Sequence, residues 1–234
     1  MLHGFLILRD LDNTILASGE VSQVGHGDLV TSVLVFHFKD GSIHEETAVF
    51  TQRTSIQLST YHLVQRGKSF RRSTDLTVNV RTGKVTVISQ DEKGKEESIN
   101  TYLKLPNDLA NGLTKVLLDN VDPKTAKTTV SMLVATPKPR IVKLEITPES
   151  GGSFSVAGVS HEAQGFVVKI RIGGISGVVA PVVGKQPSDI HAWMIGGKAP
   201  SLLKFEAQLY EGGPIWRIEM ASPVWAQNEL MHKK

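Results

Sequence analysis

Apolar and polar residues alternate with a period of two through much of the chain, and the stretch around which the rest is organised runs from Val30 to Gln52. Within it, two β-prone runs flank Lys39-Asp40-Gly41-Ser42. Asp-Gly between alternating runs is a strong hairpin signal, because a two-residue type I′ turn needs φ > 0 at both central positions. With Asp40 and Gly41 as that turn, Phe38 faces Ile43 and His37 faces His44. Side chains alternate across a strand, so Phe38, Phe36, Leu34 and Ile43 then share one face, while Lys39, His37, His44 and Glu46 share the other. A G1-bulge turn fits the same residues; it shifts the pairing by one and sets His37 against Ile43. Further from the turn, Val33, Val35, Ala48 and Phe50 add apolar groups to the nominally polar face, which predicts cover on both sides there.

The same period recurs on either side. After a short opening run, Thr14 to Val24 reads as a first strand. Thr54 to Gln65 is expected beside Ser42–Gln52, with Ile56, Leu58 and Thr60 on one side and Tyr61 and Leu63 on the other. Asp75–Val80 and Lys84–Ser89 flank the turn Arg81-Thr82-Gly83 and place Leu76, Val78, Val80, Val85 and Val87 on one face. A charged loop, Asp91–Glu97, leads to a strand over Ser98–Leu105. Further strands are predicted at Thr128–Ala135, Ile141–Thr147, Gly165–Ile172, Ile190–Ile195, Leu202–Tyr210 and Ile215–Met220, with Glu149–Ser153 as a loop. Val178–Val183 is apolar and fits either a strand or a short helix, and Asn228–Lys234 reads as a tail.

One stretch departs from that pattern. Leu109, Leu113, Val116 and Leu117 recur at helical spacing behind Pro106, Asn107 and Asp108, which predicts a long amphipathic helix over Pro106–Asn120. Gly112 inside it costs about 1 kcal/mol relative to Ala, which suggests the close approach of another backbone. About a dozen strands in one antiparallel sheet must curl, because twist accumulates and a flat sheet leaves long exposed edges. The fold expected is therefore mainly β: a curled antiparallel sheet, an open or half barrel, with one main helix packed on its concave face. No linker marks a boundary, so residues 1–226 read as a single domain and 227–234 as a tail.

Composition narrows the function classes without choosing one. The 234 residues are 40% hydrophobic and 21% charged, which is ordinary for a globular protein. The net charge of +3 is spread along the chain instead of forming the basic face that nucleic-acid binding requires. With no cysteine, disulfide staples and thiolate chemistry are excluded. The longest early apolar run, Phe5 to Leu8, is too short for a membrane span or a signal-peptide core.

A β meander, one amphipathic stretch and then more antiparallel strands resembles the open β-barrel of bacterial lipoprotein carriers, the LolA-like superfamily, and related envelope proteins of unknown function. Runs such as Phe36-His37-Phe38-Lys39-Asp40-Gly41-Ser42 and Gly213-Pro214-Ile215-Trp216-Arg217 are similar to those of uncharacterised bacterial proteins. The resemblance implies a half-barrel whose apolar concave face holds acyl chains or a similar hydrophobic ligand. It also implies a periplasmic or extracellular location after removal of a leader, the alternative being cytoplasmic. The chain departs from the lipoprotein pattern in having no cysteine to lipidate.

Two clusters are candidate sites. His37, His44 and Glu46 project from one face under the two-residue turn, and two imidazoles with a carboxylate form a candidate divalent-metal set. The competing reading is a solvated polar strand face. Arg66, Lys68, Arg71 and Arg72 surround Phe70 and are candidates for gripping an anionic head group at a cavity rim; the competing reading is an exposed charged loop. Trp193, Trp216 and Trp225 are expected in the core or in a cavity wall. No phosphate loop, nucleophile elbow or catalytic triad context occurs, and no cofactor is implied. The leading expectation is non-enzymatic binding of a hydrophobic or lipid-like ligand in a half-barrel cavity. The alternatives are an adaptor acting on a protein partner through an edge strand, and a metal-dependent enzyme using His37 and His44.

Overall fold

The computed structural model describes residues 1–135, 138–156, 159–172, 187–195 and 201–221. The segment Val178–Val183, Trp225 and the expected tail lie outside them. Among the described residues the alternating runs form two antiparallel meanders. The first comprises β1 (Leu2–Arg9), β2 (Ile15–His26), β3 (Leu29–Phe38), β4 (Ile43–Gln52), β5 (Ile56–Arg66), β6 (Arg72–Asn79), β7 (Lys84–Asp91) and β8 (Glu96–Tyr102). The second comprises β9 (Thr128–Val134), β10 (Arg140–Val156), β11 (Val159–Arg171), β12 (Ile190–Ile195), β13 (Ser201–Gln208) and β14 (Ile215–Met220).

The meanders are fused by their outermost members in sequence. β1 pairs with β14 from Leu6↔Met220 to Arg9↔Arg217, giving one 14-stranded antiparallel sheet with β8 and β9 at its edges. The sheet is not closed. It is curled, however, since Leu133 of β9 packs in the same apolar cluster as Val78 and Val85 of β6 and β7. Inward residues such as Leu8, Phe36, Val78, Val85 and Val168 are almost completely buried, and each such side chain contributes about 1.5–3 kcal/mol relative to exposure. Leu76↔Val87 and Val78↔Val85 face one another across β6 and β7, as the alternation predicts.

Three expectations are corrected. The opening run is a full strand, β1. Glu149–Ser153 is not a loop: β10 continues through it with a register shift between Glu149 and Gly152. The long helix reduces to a single turn, α1 (Thr114–Leu118). Gly112 has φ +69°, in the left-handed region that ends right-handed helical geometry. Upstream of it the backbone is committed elsewhere, because Ala110 N–H donates to Ser131 O at 2.8 Å and Ser131 N–H donates to Asp108 O at 3.0 Å.

The apolar residues of this stretch still face inward. Leu109, Leu113 and Val116 join the cluster of β4–β7, while Ala110 and Leu118 join that of β9–β13. The connection from β8 to β9 thus links the two sheet edges across the concave side. It also covers the edge of β9: the Asn111 side chain donates to Leu133 O at 2.9 Å and accepts from Leu133 N–H at 2.8 Å. Edge groups that would otherwise be open for pairing are occupied within the chain.

Candidate functional site

The β3–β4 turn sets what faces the interior. Gly41 has φ +84°, Gly41 N–H donates to Phe38 O at 3.1 Å and Phe38 N–H donates to Ser42 O at 2.9 Å. This is the bulged three-residue turn, and it pairs His37 with Ile43 and Phe36 with His44. The two-residue-turn expectation is corrected accordingly. His37 is exposed on the outer face, whereas His44 and Glu46 join Phe36 and Phe38 inside. His37, His44 and Glu46 are therefore not brought together. Among the described residues, no group of three or more His, Cys, Asp or Glu side chains is arranged to hold a metal ion.

In place of a metal set, His44 anchors a buried polar chain. Its ring is 1% exposed, and Gln65, at 3%, lies beside it on β5. The Gln65 amide nitrogen is 2.8 Å from Leu209 O and 3.0 Å from His44 Nδ1. A backbone carbonyl only accepts, so that Gln65 atom is a donor; Nδ1 accepts, and the proton on His44 resides at Nε2. Nε2–H in turn donates to Glu46 Oε1 at 3.1 Å. Tyr61, on β5, lies near Glu46, and burial, reinforced by the Glu46 charge, pushes its phenol well above its usual pKa.

Sequence reasoning missed Gln65 as a partner of His44 and Tyr61 as an inward neighbour of Glu46. β5 carries a bulge: Phe50 pairs Leu58 and Val49 pairs Thr60, leaving Ser59 over. The extra residue lets Leu58 and Tyr61 both point inward, although strict alternation separates them.

Beside Glu46 lies a cavity of about 260 Å³. Leu6, Leu34, Ala48, Val116, Phe205 and Ile218 form much of its wall, placing it where the three apolar clusters of the molecule meet. Leu2 and Met220 line it too and are 43% and 41% exposed, which marks the entrance at that end of β1 and β14. The charged lining groups are Glu46, His3 and Lys115. Lys115 Nζ is 2.7 Å from Asp119 Oδ2 and His3 Nε2 is 3.0 Å from Glu20 Oε2. Burial pushes the Asp119 carboxyl above its usual range, against the opposing pull of Lys115.

The cationic loop between β5 and β6 is elsewhere. Phe70 turns inward at the opposite end of the barrel, packing edge-on against Phe38, Tyr210 and Trp216 at centroid distances of 5.3, 5.7 and 6.2 Å. Arg66, Lys68 and Arg71 are exposed and Arg72 is half-buried. Arg66 pairs with Asp75 at 3.5 Å and Arg72 with Glu97 at 3.3 Å. Arg71 and Arg72 border a surface groove with Asp91, Glu92 and Lys93. None of the four cations lines the apolar cavity: Phe70 turns into the interior at the far end and carries its charged neighbours away from the entrance. Trp193 stacks on His191 at 6.1 Å, with Lys204 Nζ 3.7 Å from its ring centre.

An open, β-barrel-like antiparallel sheet with an internal apolar cavity is the class that these features define. The fold is similar to the crystal structure of a beta-barrel-like protein of the domain of unknown function DUF1849 from Brucella abortus. The two superpose with a TM-score of 0.50 over 95% of this chain and 97% of that one, at 9% sequence identity, a likeness of fold alone. No family model matches the chain, and its sequence matches no curated protein. Among the described residues, no helix is long and apolar enough to cross a membrane.

Proposed function

We propose that the protein binds a small hydrophobic or lipid-like ligand inside the open barrel, without catalysing a reaction. The observation that carries this reading is the cavity of about 260 Å³, walled mainly by apolar side chains and entered between Leu2 and Met220. Its size lies just below the range of about 300–1,000 Å³ usual for drug-sized ligands, which suits a single short acyl or alkyl chain better than a whole lipid. The order of strands that resembles lipoprotein carriers supports the same class of ligand and a place in the bacterial envelope.

The test is titration with the neutral apolar fluorophore N-phenyl-1-naphthylamine, together with native mass spectrometry of protein expressed in bacteria. Saturable binding at one site, competed by short alkyl chains and lost in Leu34→Trp, supports the reading. Leu34→Trp fills the cavity from its wall and is checked for folding by circular dichroism. Absence of saturable binding, or unaltered binding by a folded Leu34→Trp, overturns it.

A second reading is an adaptor acting through a sheet edge. Its specific support is β8, which pairs on one side with β7, whereas the edge of β9 is already covered by Asn111. Glu96 and Glu97 on β8 are the kind of edge charges that discourage pairing, so the cavity remains the preferred site.

A further inference from the structure

We propose that Glu46 makes the cavity selective for an apolar chain ending in a primary ammonium group, over chains ending in a carboxylate or a neutral hydroxyl. This inference rests on the cavity being the binding site.

Glu46 is the charged group that β4 projects into a mainly apolar wall. His44 Nε2–H donates to it from 3.1 Å. A carboxylate offers about four lone-pair sites, so the His44 donor orients it and leaves acceptor capacity toward the cavity. That donor brings no positive charge: the Gln65 bond makes His44 Nδ1 an acceptor and leaves the ring proton on Nε2. The other charged lining groups are matched locally, Lys115 by Asp119 at 2.7 Å and His3 by Glu20 at 3.0 Å. Among the described residues no Lys or Arg forms an ion pair with Glu46.

The wall therefore presents one oriented carboxylate without a Lys or Arg partner in a mainly apolar setting. An ammonium group supplies the missing charge and makes a charge-assisted hydrogen bond, roughly twice as strong as a neutral one. A hydroxyl supplies a donor without charge, and a carboxylate meets like-charge repulsion that burial strengthens.

The experiment is calorimetric titration of the full chain at neutral pH with octylamine, octanol and octanoate, repeated with Glu46→Gln. Octylamine is expected to bind at least about ten-fold more tightly than either other probe, with that preference lost in Glu46→Gln while octanol affinity changes by less than about three-fold. Equal binding of the three probes by the wild-type protein, or a preference that survives in Glu46→Gln, overturns the inference and leaves the cavity reading standing. Failure of every probe to bind overturns both. The wild-type series decides the question by itself if Glu46→Gln does not fold.

Discussion

Phe36 and His44 face each other across β3 and β4 with ring centres 6.2 Å apart, and both are sealed from solvent. An imidazole sits in an aromatic core because each of its nitrogens has a partner, Gln65 on one side and Glu46 on the other. A buried polar group without such partners would cost more than its packing returns.

Replacement of His44 separates this arrangement from its mirror. His44→Ala removes one acceptor from the Gln65 amide, which keeps Leu209 O, and the donor to a Glu46 oxygen; a buried group left unsatisfied costs about 1–3 kcal/mol. His37→Ala removes an exposed side chain and is expected to change stability by no more than about 0.5 kcal/mol. Urea unfolding of both variants checks the register; a larger loss from His37→Ala would contradict it.

Gly112 is irreplaceable for two separate reasons. A Cβ there would lie 3.0 Å from the Ala48 Cβ and 3.0 Å from the Tyr61 ring, and φ of +69° is a left-handed conformation. The backbone term alone is about 1–2 kcal/mol. Gly112→Ala is expected to lower the unfolding midpoint and, since Gly112 lines the cavity, to weaken probe binding as well. A variant as stable as wild type would mean that the chain does not turn there as described.

Asn111 closes the edge of β9 by exchanging two hydrogen bonds with Leu133. Asn111→Ala leaves the Leu133 N–H and C=O without those partners, at a cost of about 1–3 kcal/mol for each one left unsatisfied. Hydrogen exchange reads this locally: the Leu133 amide should lose protection while the Val78 amide, deep in β6, exchanges nearly as before. Unchanged protection at Leu133 would refute the edge cover.

The β3–β4 turn introduces a pH dependence. Hydrogen bonding from the Ser42 backbone N–H, with further bonds from the Ser42 and Ser69 side chains, holds the Asp40 carboxyl below its usual range. A depressed folded-state value means the contribution is present above the unfolded carboxyl value of about 3.9 and is lost as pH falls through the folded value. Asp40→Asn should therefore flatten the acid limb of a stability-against-pH curve while changing the neutral region less. An acid limb identical to that of wild type would rule out a role for Asp40 in it.

Local order along the chain was legible from residues alone. Alternation placed the hairpin of β6 and β7 with Leu76 facing Val87 and Val78 facing Val85, because period and turn chemistry act over a few residues. The inward character of Leu109, Leu113 and Val116 was legible for the same reason. The helix expected around them was not formed over its full length, because Asp108, Ala110 and Asn111 bond to β9, about twenty residues further along the chain.

The face taken by His44, the fusion of β1 with β14 and the cavity belong to the folded molecule. Asp-Gly admits two turns one residue apart, and such a slip inverts a strand's faces. Burial of His44 beside Gln65 and Leu209 accompanies the bulged turn, and neither partner is local to it. The β1–β14 ladder joins residues more than two hundred positions apart, as in Leu6↔Met220, so no local pattern encodes it. The cavity, in turn, exists only because three clusters meet without filling the space between them, a matter of packing that strand periodicity leaves open.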